Sequence, residues 1–408
     1  MKLLFIHQNF PGQYLHLVHF LKEQGGHEIY GMGEAKNVRN RGTLPGIVTI
    51  GYPTPGGPGE RTHHYLKNTE AAVRRGQNVA RSLFRLKSRG FMPDVIAVHP
   101  GWGEALFIRD VYPDTPTLQY CEYYFHAGQA DMAFDPEYPH TVDRAFGARI
   151  CNAPQLLSLP YAAACVSPTA WQASRYPAMM RANIRVIHDG LDTDFMRPDP
   201  EERVRVQSLT LSRKDKIITY AARNLEPHRG FHRFMRSLPE IQKLHPDARV
   251  LIVGNDGVSY SDKLPEGQSH KKACLQEMKD RLDLSRIHFL GNVSYSALRA
   301  LFRISSAHVY LTYPFVLSWS VLEAMACEAM VVASATEPVQ EVITDGENGL
   351  LVDFFDQKAL VAHVDAALRE PERFIALRQN ARRNVVERFS LPVCLSRQVA
   401  LLEELARK

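Results

Sequence analysis

Nowhere in the 408 residues do apolar side chains run far enough to cross a bilayer. The N-terminus, Met1-Lys-Leu-Leu-Phe-Ile-His7, lacks the longer apolar stretch and small-residue cleavage site of a signal peptide and reads as a buried strand. Cysteine is sparse and scattered, at Cys121, Cys151, Cys165, Cys274, Cys327 and Cys394, with no Cys-x-x-Cys. That spacing speaks against a zinc site and a disulfide framework, and favours reduced thiols in a cytoplasmic protein. There is no Gly-x-Gly-x-x-Gly fingerprint, which argues against a nicotinamide enzyme. Tandem repeats and low-complexity tracts are missing as well. A strong charge bias is also lacking: the net charge of +5 suits anionic substrates or an anionic membrane surface and does not call for nucleic acid.

What remains is an ordinary globular composition, 45% hydrophobic and 23% charged, in a chain too long for one core. Short apolar strands alternate with amphipathic helices, the pattern of parallel α/β sheets. Strands are expected at Lys2–His7, His27–Tyr30, Ile47–Gly51, Val95–His99, Thr117–Glu122, Ala164–Ser167 and Arg185–His188. The pattern then restarts with Lys216–Tyr220, Arg249–Gly254, Ile287–Gly291, His308–Leu311, Met330–Ser334 and Gly349–Val352. Two doubly wound domains follow, with the polar stretch Arg197–Asp215 as linker. Ligands of such sheets bind beyond the carboxyl ends of the strands, so two facing domains would enclose a cleft. The Pro/Gly-dense loop Pro53–Gly59 is expected to be a mobile surface loop or an acceptor-side lid. The helix bearing Arg74, Arg75, Arg81, Arg85 and Lys87 reads as a solvated basic face, or as a contact with anionic lipid.

The most informative segment is Tyr313-Pro-Phe-Val-Leu-Ser-Trp-Ser-Val-Leu-Glu-Ala-Met-Ala-Cys327, a serine-bearing turn running into a strong helix former. A helix beginning at Ser318 or Ser320 directs free backbone N–H groups at what lies before it, an end that favours anions. Glu323 is expected in its first turn. A carboxylate there would repel phosphate, so it should face neutral hydroxyls beside the phosphates, and a ribose diol fits. Upstream, Arg223 and Arg229 flank Asn-Leu-Glu-Pro-His just past a strand, where paired guanidinium groups can neutralise a diphosphate. Phe10-Pro-Gly-Gln13 follows the first strand, and Gly12 permits close approach of backbone to a ligand. Diphosphate plus ribose means a nucleotide, with a sugar nucleotide as the obvious candidate.

The segment around Glu323, with Glu341-Val-Ile-Thr-Asp-Gly-Glu-Asn-Gly-Leu-Leu-Val352 after it, resembles the donor-binding core of the retaining glycosyltransferases of family 4. The resemblance extends to Phe5-Ile-His-Gln-Asn-Phe-Pro-Gly-Gln13 and to Tyr220-Ala-Ala-Arg-Asn-Leu-Glu-Pro-His-Arg-Gly230. It implies an α/β GT-B fold, two doubly wound Rossmann-like domains facing across a cleft. Residues 1–196 would form the acceptor-side domain, 197–385 the nucleotide-sugar domain, and 386–408 a helix bracing the first. It also implies that Arg223 and Arg229 stabilise the leaving diphosphate. Gly12, Gln13, Ser318, Trp319, Ser320, Val321, Leu322 and Glu323 would bind the donor. No metal and no separate cofactor would be needed, the nucleotide-diphosphate sugar being a substrate.

Three departures from the family pattern stand out. The family has two glutamates with seven residues between them, but the position of the first is Phe315. Relatives place a sugar-contacting histidine near Tyr120-Cys-Glu-Tyr-Tyr-Phe-His126, where Glu122 falls closest and His126 follows. His99, in His99-Pro-Gly-Trp-Gly-Glu104, is a further candidate. Asp192-Thr-Asp194 looks like the metal motif of another glycosyltransferase fold but lies where the chain leaves the first domain, in a family that uses no metal. The expected activity is retaining hexosyl transfer to a glycan or lipid-linked acceptor in cell-envelope or exopolysaccharide synthesis, with peripheral contact at an inner membrane face. A nucleotide-sugar-binding subunit without activity, or a GT-B sugar epimerase, are the alternatives.

Overall fold

The computed structural model describes residues 1–42, 44–126 and 130–407. Its strands form where short apolar runs can be covered on both faces, as parallel sheets require. In the first sheet these are Lys2–Ile6 (β1), Glu28–Glu34 (β2), Val48–Tyr52 (β3), Val95–Val98 (β4), Thr117–Tyr120 (β5), Ala164–Ser167 (β6) and Ile184–Val186 (β7). All pair in parallel in the order β3-β2-β1-β4-β5-β6-β7. Every residue of β4, β5 and β6 is buried. Because β1 lies beside β4, the winding direction reverses between them. That reversal opens a crevice at the strands' carboxyl ends.

A second parallel sheet has the order β12-β11-β10-β13-β14-β15. Its strands are Ile217–Asn224 (β10), Arg249–Asn255 (β11), Ile287–Gly291 (β12), Ala307–Tyr310 (β13), Val331–Ser334 (β14) and Leu350–Val352 (β15). Here the reversal falls between β10 and β13. Ahead of it, within the stretch read as a plain linker, Arg203–Val206 (β8) and Leu209–Ser212 (β9) form an antiparallel hairpin. Both strands alternate polar and apolar residues. Val206 and Leu211 are buried in a cluster with Ile217, Leu251 and Leu301, so the segment is part of the second unit's core.

Contacts divide the chain into two units. The first comprises Met1–Ala133, Pro139–Gly190 and Leu391–Lys408, and the second Phe134–Tyr138 and Leu191–Ser390. The sequence reading put one boundary at residues 196 and 197 and had no place for the short excursion. In the first unit, the helix Leu391–Ala406 buries Leu395, Val399 and Leu402 in the core that holds Leu3, Phe5 and Leu17. Its Gln398 side chain donates to the His188 carbonyl at 2.9 Å.

The excursion Phe134–Tyr138 is held by specific bonds in the second unit. Asp135 is buried and accepts from Tyr313 Oη, the Glu137 amide and His232 Nε2, each at 3.0 Å. Burial alone would raise this carboxyl, but those donors hold it down at about 2. Phe134 packs among Tyr313, Phe354 and Phe355. Glu137 takes a two-pronged bond from Arg236, both N–O distances being 2.6 Å.

Candidate active site

The residues expected to bind a donor in the second unit gather where β10 and β13 end. Arg223, near the end of β10, is exposed. Arg229 closes the single turn Pro227–Arg229 and is half-buried. Its Nη1 donates to Thr312 Oγ1 at 2.8 Å and to the Val316 carbonyl at 3.3 Å. Its guanidinium lies 5.3 Å from the Tyr260 ring and 5.7 Å from the Phe315 ring. Neither arginine has an ion-pair partner among the described residues. Phe315 is buried, with its ring 4.7 Å from both His228 and Tyr260. The position where the family has a carboxylate thus presents an aromatic face to Arg229, leaving that cation's charge available to an anion.

Sequence reasoning missed Glu226, between the two arginines. Its buried carboxylate accepts backbone N–H groups from Ser259, Tyr260 and Ser261 at 2.8–3.1 Å. Those bonds fix the loop that brings Tyr260 to Arg229. The signal in the sequence was a lone acid inside Arg-Asn-Leu-Glu-Pro-His-Arg.

The helix after β13 is Trp319–Ala326, with Ser318 as its N-cap. Ser318 Oγ meets the Ser320 amide at 3.4 Å and Ser320 Oγ at 2.9 Å. Trp319 is partly exposed, whereas Val321 and Leu322 point into the core. The last two can therefore offer a ligand only their main chain. Glu323 is not in the first turn, as the sequence suggested, because the helix begins at Trp319 and Glu323 is its fifth residue. It is 4% exposed, and its carboxylate receives one side-chain hydrogen bond among the described residues, from Tyr295 Oη at 2.9 Å. Burial pushes its pKa up to about 7, and the Tyr295 bond only partly offsets this.

Asp192 Oδ1 accepts from the amides of Asp194 and Phe195 at 3.2 and 2.8 Å, which makes Asp192-Thr-Asp194 a side-chain-stabilised turn. Among the described residues, the group whose ligand atoms do lie close enough for a metal is Asp135, Glu137 and His232. Arg233 and Arg236 already pair with its carboxylates.

In the first unit, β1 and β4 end in histidines at their own reversal point. His7 Nδ1 accepts the Asn9 amide at 2.9 Å and His99 Nδ1 the Gly101 amide at 3.2 Å. His188 Nδ1 accepts the Gly190 amide at 3.1 Å in the same His-x-Gly arrangement. A backbone donor on Nδ1 leaves the proton on Nε2 in all three. His99 Nε2 then donates to Glu122 Oε2 at 3.1 Å, and its ring stacks on Trp102 with centroids 4.0 Å apart. His7 is buried, which drives its pKa down to about 3, with His99 adding to the effect. Gly12 has φ +52°, and a Cβ there would lie 2.6 Å from the His7 ring, so glycine is needed for that packing. Gln13 lines a small interior cavity with Tyr14, Tyr120 and Asp189. His126 is placed elsewhere: its Nε2 meets the Arg175 carbonyl at 2.6 Å, so it fastens a loop and is not part of the His99–Glu122 pair.

The basic helix is Lys67–Lys87. Arg74 pairs with Glu70, and Lys87 donates to the Val111 carbonyl at 2.6 Å. Arg75 is largely buried between Glu34 and Glu104, at 3.9 Å from each, and holds the Trp102 carbonyl at 2.8 Å. These three cations therefore brace the fold and do not form a uniform basic stripe. The Pro53–Gly59 loop is anchored at its end, where the Gly59 amide donates to Glu70.

Comparison with known proteins bears on the family and the fold. A family profile described as the glycosyl transferase family 4 group matches residues 25–196, and one described as glycosyl transferases group 1 matches residues 203–384. A GDP-mannose-dependent alpha-(1-6)-phosphatidylinositol monomannoside mannosyltransferase of Mycolicibacterium smegmatis is 29% identical over 46% of this chain and 48% of its own length. A D-inositol 3-phosphate glycosyltransferase of Mycobacterium ulcerans is 26% identical over 46% of this chain and 38% of its own. The chain thus spans about half or less of the curated relatives it matches. Among solved structures, sucrose-phosphate synthase from Thermosynechococcus elongatus superposes with a TM-score of 0.74 at 16% identity, covering 99% of both chains. Anabaena HepE in complex with UDP and glucose gives 0.69 at 16% identity, covering 99% of this chain and all of that one.

Proposed function

We propose that this chain, which belongs to the group 1 glycosyl transferases and has their GT-B fold, transfers a sugar from a nucleoside-diphosphate donor to a hydroxyl of a glycan or glycolipid, with retention at the anomeric carbon. The observation that carries the reading is Glu323. A carboxylate can accept about four hydrogen bonds, yet among the described residues this buried one has a single side-chain donor and no ion-pair partner. The ribose diol of a nucleotide supplies the missing donors. In front of the same helix, the Trp319 N–H group, with Arg223 and Arg229, suits a diphosphate.

In this reading the bond from the anomeric carbon to the diphosphate breaks with its electrons passing to the phosphate oxygen. The acceptor oxygen bonds the same face, and its proton moves to the departing phosphate. No strong protein base is required, which accords with Phe315 in place of a glutamate. The first unit's His99–Glu122 pair would orient acceptor or sugar hydroxyls. The GDP-mannose dependence of the Mycolicibacterium smegmatis relative, and the UDP and glucose bound to HepE, make mannosyl and glucosyl transfer the leading donor chemistries. Cytoplasmic action, with peripheral contact at a membrane bearing a lipid-linked acceptor, belongs to the same reading. No helix among the described residues is long and apolar enough to cross a membrane. The helix Val142–Cys151 exposes Val142 and Phe146 beside Arg149.

Glu323→Gln is expected to weaken nucleoside-diphosphate binding by roughly 1–3 kcal/mol, the scale of a charge-assisted hydrogen bond. Calorimetry checks this, and unchanged affinity would remove Glu323 from the ribose. Binding to wild type should also depend on pH. Diol donors favour the ionised carboxylate, so the bound pKa lies below the free value of about 7. Affinity should then fall toward tenfold per pH unit as pH drops below about 7 and level off above it. The part of this dependence that exceeds titration of the ligand's own phosphate should be absent in Glu323→Gln.

Transfer should persist in EDTA. Loss of activity in chelator, restored by manganese or magnesium, would bring Asp192 and Asp194 or the Asp135 group into the mechanism. A second reading, a nucleotide-sugar-binding subunit or an epimerase, draws on the same Phe315. Nucleoside diphosphate released only when a glycolipid acceptor is present decides for the transferase.

A further inference from the structure

Glu323 is deeply buried, while its hydrogen-bond partner Tyr295 is 45% exposed. Tyr295 is the first residue of the helix Tyr295–Ile304, capped by Ser294, whose Oγ accepts the Ala297 amide at 3.2 Å. The helix is fixed by that cap and by its buried Leu301 and Phe302, so the Tyr295 side chain can rotate without disturbing it. The Tyr295 ring lies against Phe195, centroids 5.2 Å apart and planes within 6° of parallel. Arg299, one helical turn further on, sits 4.1 Å from the same Phe195 ring. From this outer stack the phenol reaches inward, and its hydroxyl occupies Glu323 Oε1. A diol bound in bidentate fashion needs both carboxylate oxygens.

We propose that the Tyr295 hydroxyl stands in for a ribose hydroxyl: it holds Glu323 in the ligand-free protein, and the donor nucleotide must displace it to bind. The inference rests on the nucleotide-donor reading above. It makes Tyr295 a positioning residue that keeps a buried carboxylate hydrogen-bonded between turnovers and sets donor affinity by competition. A hydroxyl already on Glu323 lowers the net gain from each ribose hydroxyl, because a bond is exchanged and not added. Such a contact favours release of the spent nucleoside diphosphate.

The test is calorimetry of UDP and GDP, and of their 2′,3′-dideoxy forms, with wild type and Tyr295→Phe at a pH of about 9, because loss of the Tyr295 bond raises the Glu323 pKa further above its value of about 7. Phenylalanine keeps the ring stack and removes only the competing hydroxyl. Tyr295→Phe is expected to bind the ribonucleotide that wild type accepts roughly three- to tenfold more tightly, the order of one hydrogen bond. The dideoxy forms, which have no hydroxyl to place on Glu323, should bind both proteins alike. Weaker or unchanged ribonucleotide binding by Tyr295→Phe would mean that the hydroxyl supports Glu323 without competing. An equal gain with the dideoxy forms would mean that the ring, and not the diol contact, is responsible. Either result overturns the proposal and leaves the donor reading standing. Failure of both proteins to bind either diphosphate removes the donor reading and the proposal together.

Discussion

Replacing Arg229 with alanine is expected to lower turnover at saturating donor by about a hundredfold or more, as for other removed electrostatic stabilisers. The charge on the diphosphate grows as the glycosidic bond breaks, so a cation beside it contributes more in the transition state than in the resting complex. The surroundings of Arg229 strengthen this expectation. Its contacts are a hydroxyl, a carbonyl and two aromatic rings. Among the described residues no carboxylate forms an ion pair with it, so its charge is only partly offset, by Glu226 nearby. Arg229→Lys keeps the charge but cannot hold both Thr312 and the Val316 carbonyl in the same fork, and should fall between wild type and alanine. Steady-state kinetics with varied donor separates the outcomes. Normal turnover with only a raised KM would make Arg229 a binding group alone.

Gly103→Val should destabilise the first unit by about 3 kcal/mol or more, through backbone strain and overpacking together. Gly103 has φ +103°, and a Cβ there would lie 2.2 Å from the Ala72 carbonyl oxygen and 2.6 Å from its carbon. The facing helix makes the same accommodation, since a Cβ on Gly76 would meet the Gly103 carbonyl at 2.6 Å. This contact, with the Arg75 bond to the Trp102 carbonyl, fixes the loop that begins at His99. Thermal unfolding followed calorimetrically should show one early transition, because two units need not melt together. Surviving protein should show weakened acceptor use with donor binding retained.

Much of this architecture is legible in the sequence because parallel strands are short, apolar and punctuated. The first strand was expected at Lys2–His7 and is found at Lys2–Ile6. The six expected strands of the second sheet all occur. Ser318 as a helix start follows from local residue types. What escaped notice depends on long-range pairing. The β8–β9 hairpin was hidden by its charged arginines, although its valines and leucines alternate. Tyr295 reaches Glu323 from another helix, and no local pattern joins them. His126 stands close to Glu122 in sequence, but its Nε2–H donates to the Arg175 carbonyl, a bond that no local pattern announces. Glu226 was passed over because a single acid between two arginines suggests an ion pair, whereas it accepts three amides.

The short excursion Phe134–Tyr138 bears on how such chains evolve. Enzymes built from two similar halves invite recombination, with one half exchanged for that of a relative. A crossover at the obvious seam, Gly190 and Leu191, would here deliver a foreign peptide to a slot shaped by Tyr313, His232 and Arg236. An apolar or basic residue arriving in place of Asp135 would leave His232 and the Tyr313 hydroxyl without their shared acceptor in a buried setting. The two halves therefore inherit each other's history: five residues encoded with one are selected by the other, and a viable chimaera must carry them along with Leu191–Ser390.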